Sequence, residues 1–131
     1  MIFVDTSALY EATDVDADEH TDVKAAFARA LDAAEPLITH NYVVVETLAL
    51  VHRRMGRAIA VGVHAWLAAV DIVWVDTALH ASAFEDFRQR PSERVSFVDC
   101  VSFAVMRARG IRKALALDDD FRAEGFDLIE G

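Results

Sequence analysis

The chain has 131 residues, 54% of them hydrophobic, which suffices for one domain with a real core and excludes disorder. A net charge of −9 argues against gripping nucleic acid by bulk electrostatics. A single cysteine, Cys100, excludes a disulfide framework or a cysteine-rich zinc site and suits a reducing cytoplasm, and no signal peptide is expected ahead of Ile2.

In chain order, "IFV" at 2–4 is a predicted strand that runs into Asp5, which can cap a helix beginning near Ser7. The acidic "DVDADE" at 14–19 reads as solvated loop. Val23, Phe27 and Leu31 fall four apart and predict an amphipathic helix over 22–34, capped by Thr21 and ended before Pro36. "LIT" at 37–39 is a second strand. Val44, Leu48, Val51 and Met55 then predict a helix stopping near Gly56, although the β-branched run at 43–45 keeps a strand open there. His64 and Asp71 interrupt the apolar stretch 58–75, which reads as a helix over 58–69 and a strand "IVWV" at 72–75, not as a membrane span. Trp66 and Trp74 are expected in the core.

Thr77 is placed to cap a helix with Leu79, Ala83 and Phe87 on one face, and "RPSE" at 90–93 is a turn. Val101, Val105 and Ala108 predict a helix from Phe97 that ends before Gly110. "ALAL" at 114–117 is a strand, a helical turn surrounds Phe121, and "FDLI" at 126–129 closes the sheet. Strands separated by helices imply parallel pairing. The expected fold is therefore α/β, a three-layer α/β/α sandwich with a central, mainly parallel sheet, in a single domain over 1–131.

Ligands of such sheets bind beyond the carboxyl ends of the strands. Asp5 follows the first strand and Asp118 the fourth, while Glu46 and Asp99 interrupt apolar helical stretches. Each acid has a structural use on its own. Asp5 can cap, Asp99 can close a capping box with Ser96 in "SFVD", and Asp118, Asp119 and Asp120 can form a polar turn. Glu46 is hardest to explain this way, since its neighbours are nearly all apolar and a lone buried carboxylate costs several kcal/mol. Converging on one edge, two such charges about 4 Å apart repel by about 4 kcal/mol at an effective dielectric near 20. A divalent cation removes that penalty, and an all-oxygen set points to Mg²⁺ or Mn²⁺ and to phosphoryl chemistry. The histidines at 20, 40, 52, 64 and 80 form no i, i+4 pair and are not expected as ligands. Three basic stretches, "HRRMGR" at 52–57, "RQRPSER" at 88–94 and "RARGIRK" at 107–113, read singly as solvated helix ends.

"IFVDTSALY", Glu46 in the second long helix, "SFVDCVSFAVMRARG" and "ALALDDDF..EGF" occur in this order along the whole chain. Together they resemble the PIN domain, and more closely the VapC toxins of bacterial toxin–antitoxin pairs. The resemblance implies a cytoplasmic Mg²⁺-dependent endoribonuclease (Mn²⁺ being the alternative ion) whose four acids are Asp5, Glu46, Asp99 and Asp118, with Thr6 or Ser7 supporting the first. The triple aspartate departs from the family pattern. Asp118 is favoured as the metal ligand because it is expected to end its strand, with Asp120 as a second ligand or a supporting group. On this reading Asp5, Asp99 and Asp118 hold the ion, Glu46 orients water or a second ion, and the products carry 5′-phosphate and 3′-hydroxyl ends. The family further implies an RNA substrate, a toxin homodimer, and a cognate antitoxin that covers the acids, commonly with an arginine. Alanines and valines on helices 22–34 and 41–56 could host an antitoxin segment, core packing explaining them equally well, and "HRRMGR" or "RARGIRK" could touch RNA phosphates. A receiver domain would need two adjacent acids after its first strand, and a haloacid-dehalogenase phosphatase would need Asp-x-Asp where this chain has "DTS". A PIN-like module that binds without catalysis stays open.

Overall fold

The computed structural model describes residues 1–129. Five strands, β1 (Ile2–Val4), β2 (Leu37–His40), β3 (Asp71–Val73), β4 (Lys113–Leu115) and β5 (Asp127–Leu128), form one sheet in the order β3-β2-β1-β4-β5. Every pairing is parallel, with Ile2 opposite Leu37 on one side and Lys113 on the other. Parallel neighbours need crossovers, and helices supply them. The helices α1 (Thr6–Thr13) and α2 (His20–Asp32) join β1 to β2. Next, α3 (Asn41–Met55) and α4 (Arg57–Trp66), with a 3₁₀ turn at Leu67–Ala69, join β2 to β3. The pair α5 (Thr77–Gln89) and α6 (Phe97–Arg109) carries the chain back to β4, and α7 (Asp120–Ala123) leads to β5. Strand order reverses between β1 and β4, so right-handed crossovers put α1–α4 on one face and α5–α7 on the other. This is the expected three-layer α/β sandwich.

The core lies where β1 and β2 meet α6. Phe3, Val4, Val43, Val101, Phe103 and Phe121 are fully buried, with Phe121 5.0 Å from Phe103 and 6.1 Å from Phe3 between ring centroids. The run at 43–45 is helical. His40 Nδ1 accepts from Val43 N and starts α3 directly after β2, and the 3.6-residue period then buries Val43, Thr47 and Val51. Packing outweighs the small helix penalty of valine.

Several local expectations change. The second helix begins at His20, so Thr21 lies inside it and Glu19 stands at its N-cap without a side-chain bond. Its buried face is Val23, Ala26, Phe27 and Ala30, while Leu31 is half exposed. Asp76, not Thr77, caps α5 through Leu79 N at 2.8 Å. Trp74 is 75% exposed and Trp66 37%, so neither is core. β3 is a three-residue edge strand that ends before Trp74, and Trp66 only edges against Phe27 at 5.1 Å. No helix among the described residues is long and apolar enough to cross a membrane.

Candidate active site

β1 and β4 are direct neighbours, so the chain leaves both at the point where strand order reverses. That crevice is where open parallel sheets bind ligands. Asp5 stands at the end of β1 and caps α1, its Oδ2 accepting from Ser7 N at 3.2 Å and Ser7 Oγ at 2.7 Å. Ser7 Oγ in turn accepts from Leu117 N at 3.0 Å, and Asp5 N donates to Leu115 O at 3.1 Å. One serine thus ties the mouth of β1 to the segment that carries Asp118. Of the two hydroxyls considered, Ser7 has this role; Thr6 Oγ1 is buried without a partner.

β4 ends at Leu115, two residues earlier than the expected strand, so Asp118 sits in a loop and does not directly end the strand. Asp118 Oδ1 accepts from Asp120 N at 3.0 Å, a tight turn that holds the two carboxylates together. Asp99 closes the expected capping box: its Oδ2 accepts from Ser96 N, and Ser96 Oγ accepts from Asp99 N, each at 3.0 Å. The structural role and the site role coexist, because α6 starts at the same sheet edge.

One carboxylate oxygen from each of Asp99, Asp118 and Asp120 lies within 4.8 Å of the others. Burial pushes the Asp5 carboxyl up to about 6, with the Asp99 charge adding to it and the Ser7 bonds opposing it. Asp99 is also raised, first by burial and then by Asp118 and Asp120, and Asp120 by burial and by Asp118. Glu46 lies exposed on α3, outside this trio. Val45 and Ala49 beside it are exposed as well, so the burial cost raised by the sequence does not arise. Hard oxygen donors, mutually repelling and partly desolvated, fit a divalent cation.

Beside the acids runs a groove of about 550 Å³ lined by Ser7, Tyr10, Arg54, Arg94 and Asp118, among others. Arg94, in the loop before α6, comes within 3.7 Å of Asp120. No local pattern announces that approach, which spans 26 positions of sequence. The "RARGIRK" stretch instead lies at the opposite sheet edge, where β4 starts, with Lys113 paired to Glu35 at 2.9 Å and Arg107 to Glu124 at 2.6 Å.

Fold and acidic crevice together define a nuclease-like α/β class, and a PIN domain model matches residues 2–126. This chain belongs to the PIN domain family. It is 39% identical over 133 residues to the 23S rRNA-specific endonuclease VapC20 of Mycobacterium tuberculosis, covering 96% of this chain and 95% of that protein. The crystal structure of that VapC20, described as a sarcin–ricin loop cleaving toxin, matches with a TM-score of 0.89 at 34% identity over 100% of both chains. VapBC2 from Rickettsia felis bound to a promoter DNA fragment (TM-score 0.69, 12% identity, 98% of each chain) shares the fold. So does FitAcB from Neisseria gonorrhoeae, with a TM-score of 0.68 at 18% identity over 98% of this chain and 96% of that one.

Proposed function

We propose that the chain, as one domain over 1–131, is a metal-dependent endoribonuclease toxin of a toxin–antitoxin pair. The observation that carries this reading is the trio Asp99, Asp118 and Asp120 within 4.8 Å, next to a buried Asp5 at the sheet's reversal point. The name of the VapC20 relative supports a ribosomal RNA substrate, and the sarcin–ricin loop is the natural first candidate.

Asp99, Asp118 and Asp120 would hold Mg²⁺ or Mn²⁺, with Asp5 beside them. Such a cation, when bound, supplies counter-charge to the phosphodiester and acidifies water for in-line attack. Ser7 fixes the Asp5 carboxylate with two hydrogen bonds, and Ser96 fixes Asp99. The Asp118–Asp120 turn sets the spacing of the remaining acids. Glu46, exposed on α3, would orient the attacking water, and departure of the 3′ oxygen would leave 5′-phosphate and 3′-hydroxyl ends. An antitoxin would bring a guanidinium to the acids. Its apolar segment would lie between α1, α2 and α4 against Leu9, Phe27, Leu31, Ile59 and Trp66. The α4 wall replaces the α3 surface expected for such a segment. A homodimer is part of the same proposal.

Incubation of the purified chain with a sarcin–ricin hairpin RNA tests the reading. Cleavage should require Mg²⁺ or Mn²⁺, and Asp5→Asn or Asp99→Asn should each lower it about 100-fold or more with the fold retained by circular dichroism. Undiminished cleavage in EDTA overturns the proposal. Asp99-dependent Mn²⁺ binding without cleavage of RNA would leave a binding module.

A further inference from the structure

We infer that Arg54 and Arg94 hold the RNA phosphates on either side of the scissile one, in the groove that runs along the acidic trio. The inference rests on the nuclease reading and adds the path of the substrate backbone. Arg54, in the last turn of α3, and Arg94, before α6, line the same groove, and Asp118 belongs both to that groove and to the acidic trio. A chain lying in the groove therefore passes the acids.

These two cations are held differently from several other arginines of the chain. Arg88 is bound to Glu85, Arg90 to Asp86 and Glu124, and Arg107 to Glu124, so a phosphate would have to displace a carboxylate. Arg54 is held by a neutral aromatic. Its Nη1 donates to the Tyr10 hydroxyl at 3.2 Å, its guanidinium lies 5.3 Å from the Tyr10 ring centroid, and the hydroxyl donates to Asp14 at 2.9 Å. This orients the guanidinium while leaving donors for an anion. The Arg94 side chain is 73% exposed, and its 3.7 Å approach to Asp120 is a long pair that solvent weakens. A divalent cation on the trio would offset two of its three charges, weaken the hold of Asp120 on Arg94 and leave Arg94 available to phosphate.

The groove also contains Glu11, Asp118 and Asp119, which would repel RNA. Asp119 is paired with Arg122 at 3.2 Å, and Asp118 is among the acids a cation would neutralise. With the ion present, two of the trio's charges are offset, and Arg54 and Arg94 then face Glu11 and the single charge left on the trio. The chain's net charge of −9 then no longer forbids RNA, because binding is confined to a groove where the ion and two arginines offset the local acids.

Salt-dependent kinetics on a fluorescein-labelled sarcin–ricin hairpin decide the matter. Arg54→Gln and Arg94→Gln should each raise KM about 10-fold, the loss of one charge-assisted bond, with kcat within twofold. Each should flatten the slope of log(kcat/KM) against log[KCl] by about 0.7 to 0.9. Arg54→Lys should restore most of the slope but not the full KM. Arg109→Gln, at the opposite sheet edge, should change neither. Unchanged slopes in both groove variants, or equal flattening by Arg109→Gln, overturn the inference. A parent chain that leaves the hairpin intact refutes the nuclease reading instead. Fluorescence anisotropy with Mg²⁺ then reads the arginines directly, and undiminished affinity in both groove variants overturns the inference there too.

Discussion

Asp5 answers to two demands at once: it caps α1, and it faces the other acids from a buried position. Raised to about 6 from the ordinary 3.8, it keeps its proton in the folded chain over a range where the unfolded chain has lost it. The folded state thus binds more protons between those two values, and stability falls as pH rises through that window, by up to about 3 kcal/mol. Asp5→Asn should therefore be more stable than the parent at pH 7.5 in EDTA, with the difference shrinking toward pH 4. Urea denaturation at both pH values checks this, and a constant difference would reject it. The cation competes with the same proton, so kcat/KM should fall below pH 6. Ser7→Ala removes the hydroxyl bond, the larger of the two from Ser7 that oppose the rise, and should move that acid limb to higher pH. Glu46 is the counter-example at this scale: an apolar sequence neighbourhood did not mean an apolar environment, because Val45 and Ala49 beside it face solvent too.

Two helix starts place the site's elements. The Ser96–Asp99 capping box was legible in "SFVD" because it is local, and it fixes where α6 presents Asp99. Ser96→Ala should cost about 1 kcal/mol of stability and also lower activity, since the turn that presents Asp99 loses the hydroxyl half of its capping box; thermal melts and cleavage assays on the same variant read both. His40 was not legible. Its Nδ1 caps α3, so Nε2 carries the proton and donates to Ser102 Oγ at 2.8 Å, and Ser102 Oγ donates to Val98 O at 3.0 Å. Burial depresses His40 to about 3, so it remains neutral at working pH and is no switch. The chain His40–Ser102 links the element carrying Glu46 to the element carrying Asp99. His40→Ala should destabilise by roughly 2–4 kcal/mol, from a cavity plus an unmade cap, measured as a shift in the urea midpoint. A spacing search for paired histidines cannot find such a residue, because its partner is 62 positions away.

At the scale of the whole molecule, the crowded acids store repulsion that a divalent ion relieves. Mn²⁺ at about 100 times its Kd should add about 2.7 kcal/mol and raise Tm by several degrees. The combined Asp99→Asn, Asp118→Asn variant should lose that rise, as scanning calorimetry can show. The alternation of apolar runs and helical periods by itself determined the α/β class, since hydrophobic periodicity is a local property written in consecutive residues. The acids were visible for the same reason: Asp5 at a strand end and Asp99 at a helix start were marked by local pattern, Glu46 by its apolar neighbours and Asp118 by the run of three aspartates after a predicted strand. Strand order was not written locally. That β4 lies against β1, bringing Asp118 beside Asp5, follows from packing between residues more than 100 positions apart. The exposure of Trp74, the replacement of Thr77 by Asp76 as a cap, and the approach of Arg94 to Asp120 were likewise decided only in three dimensions. Each depends on which distant surface arrives to cover, or to leave bare, a given side chain.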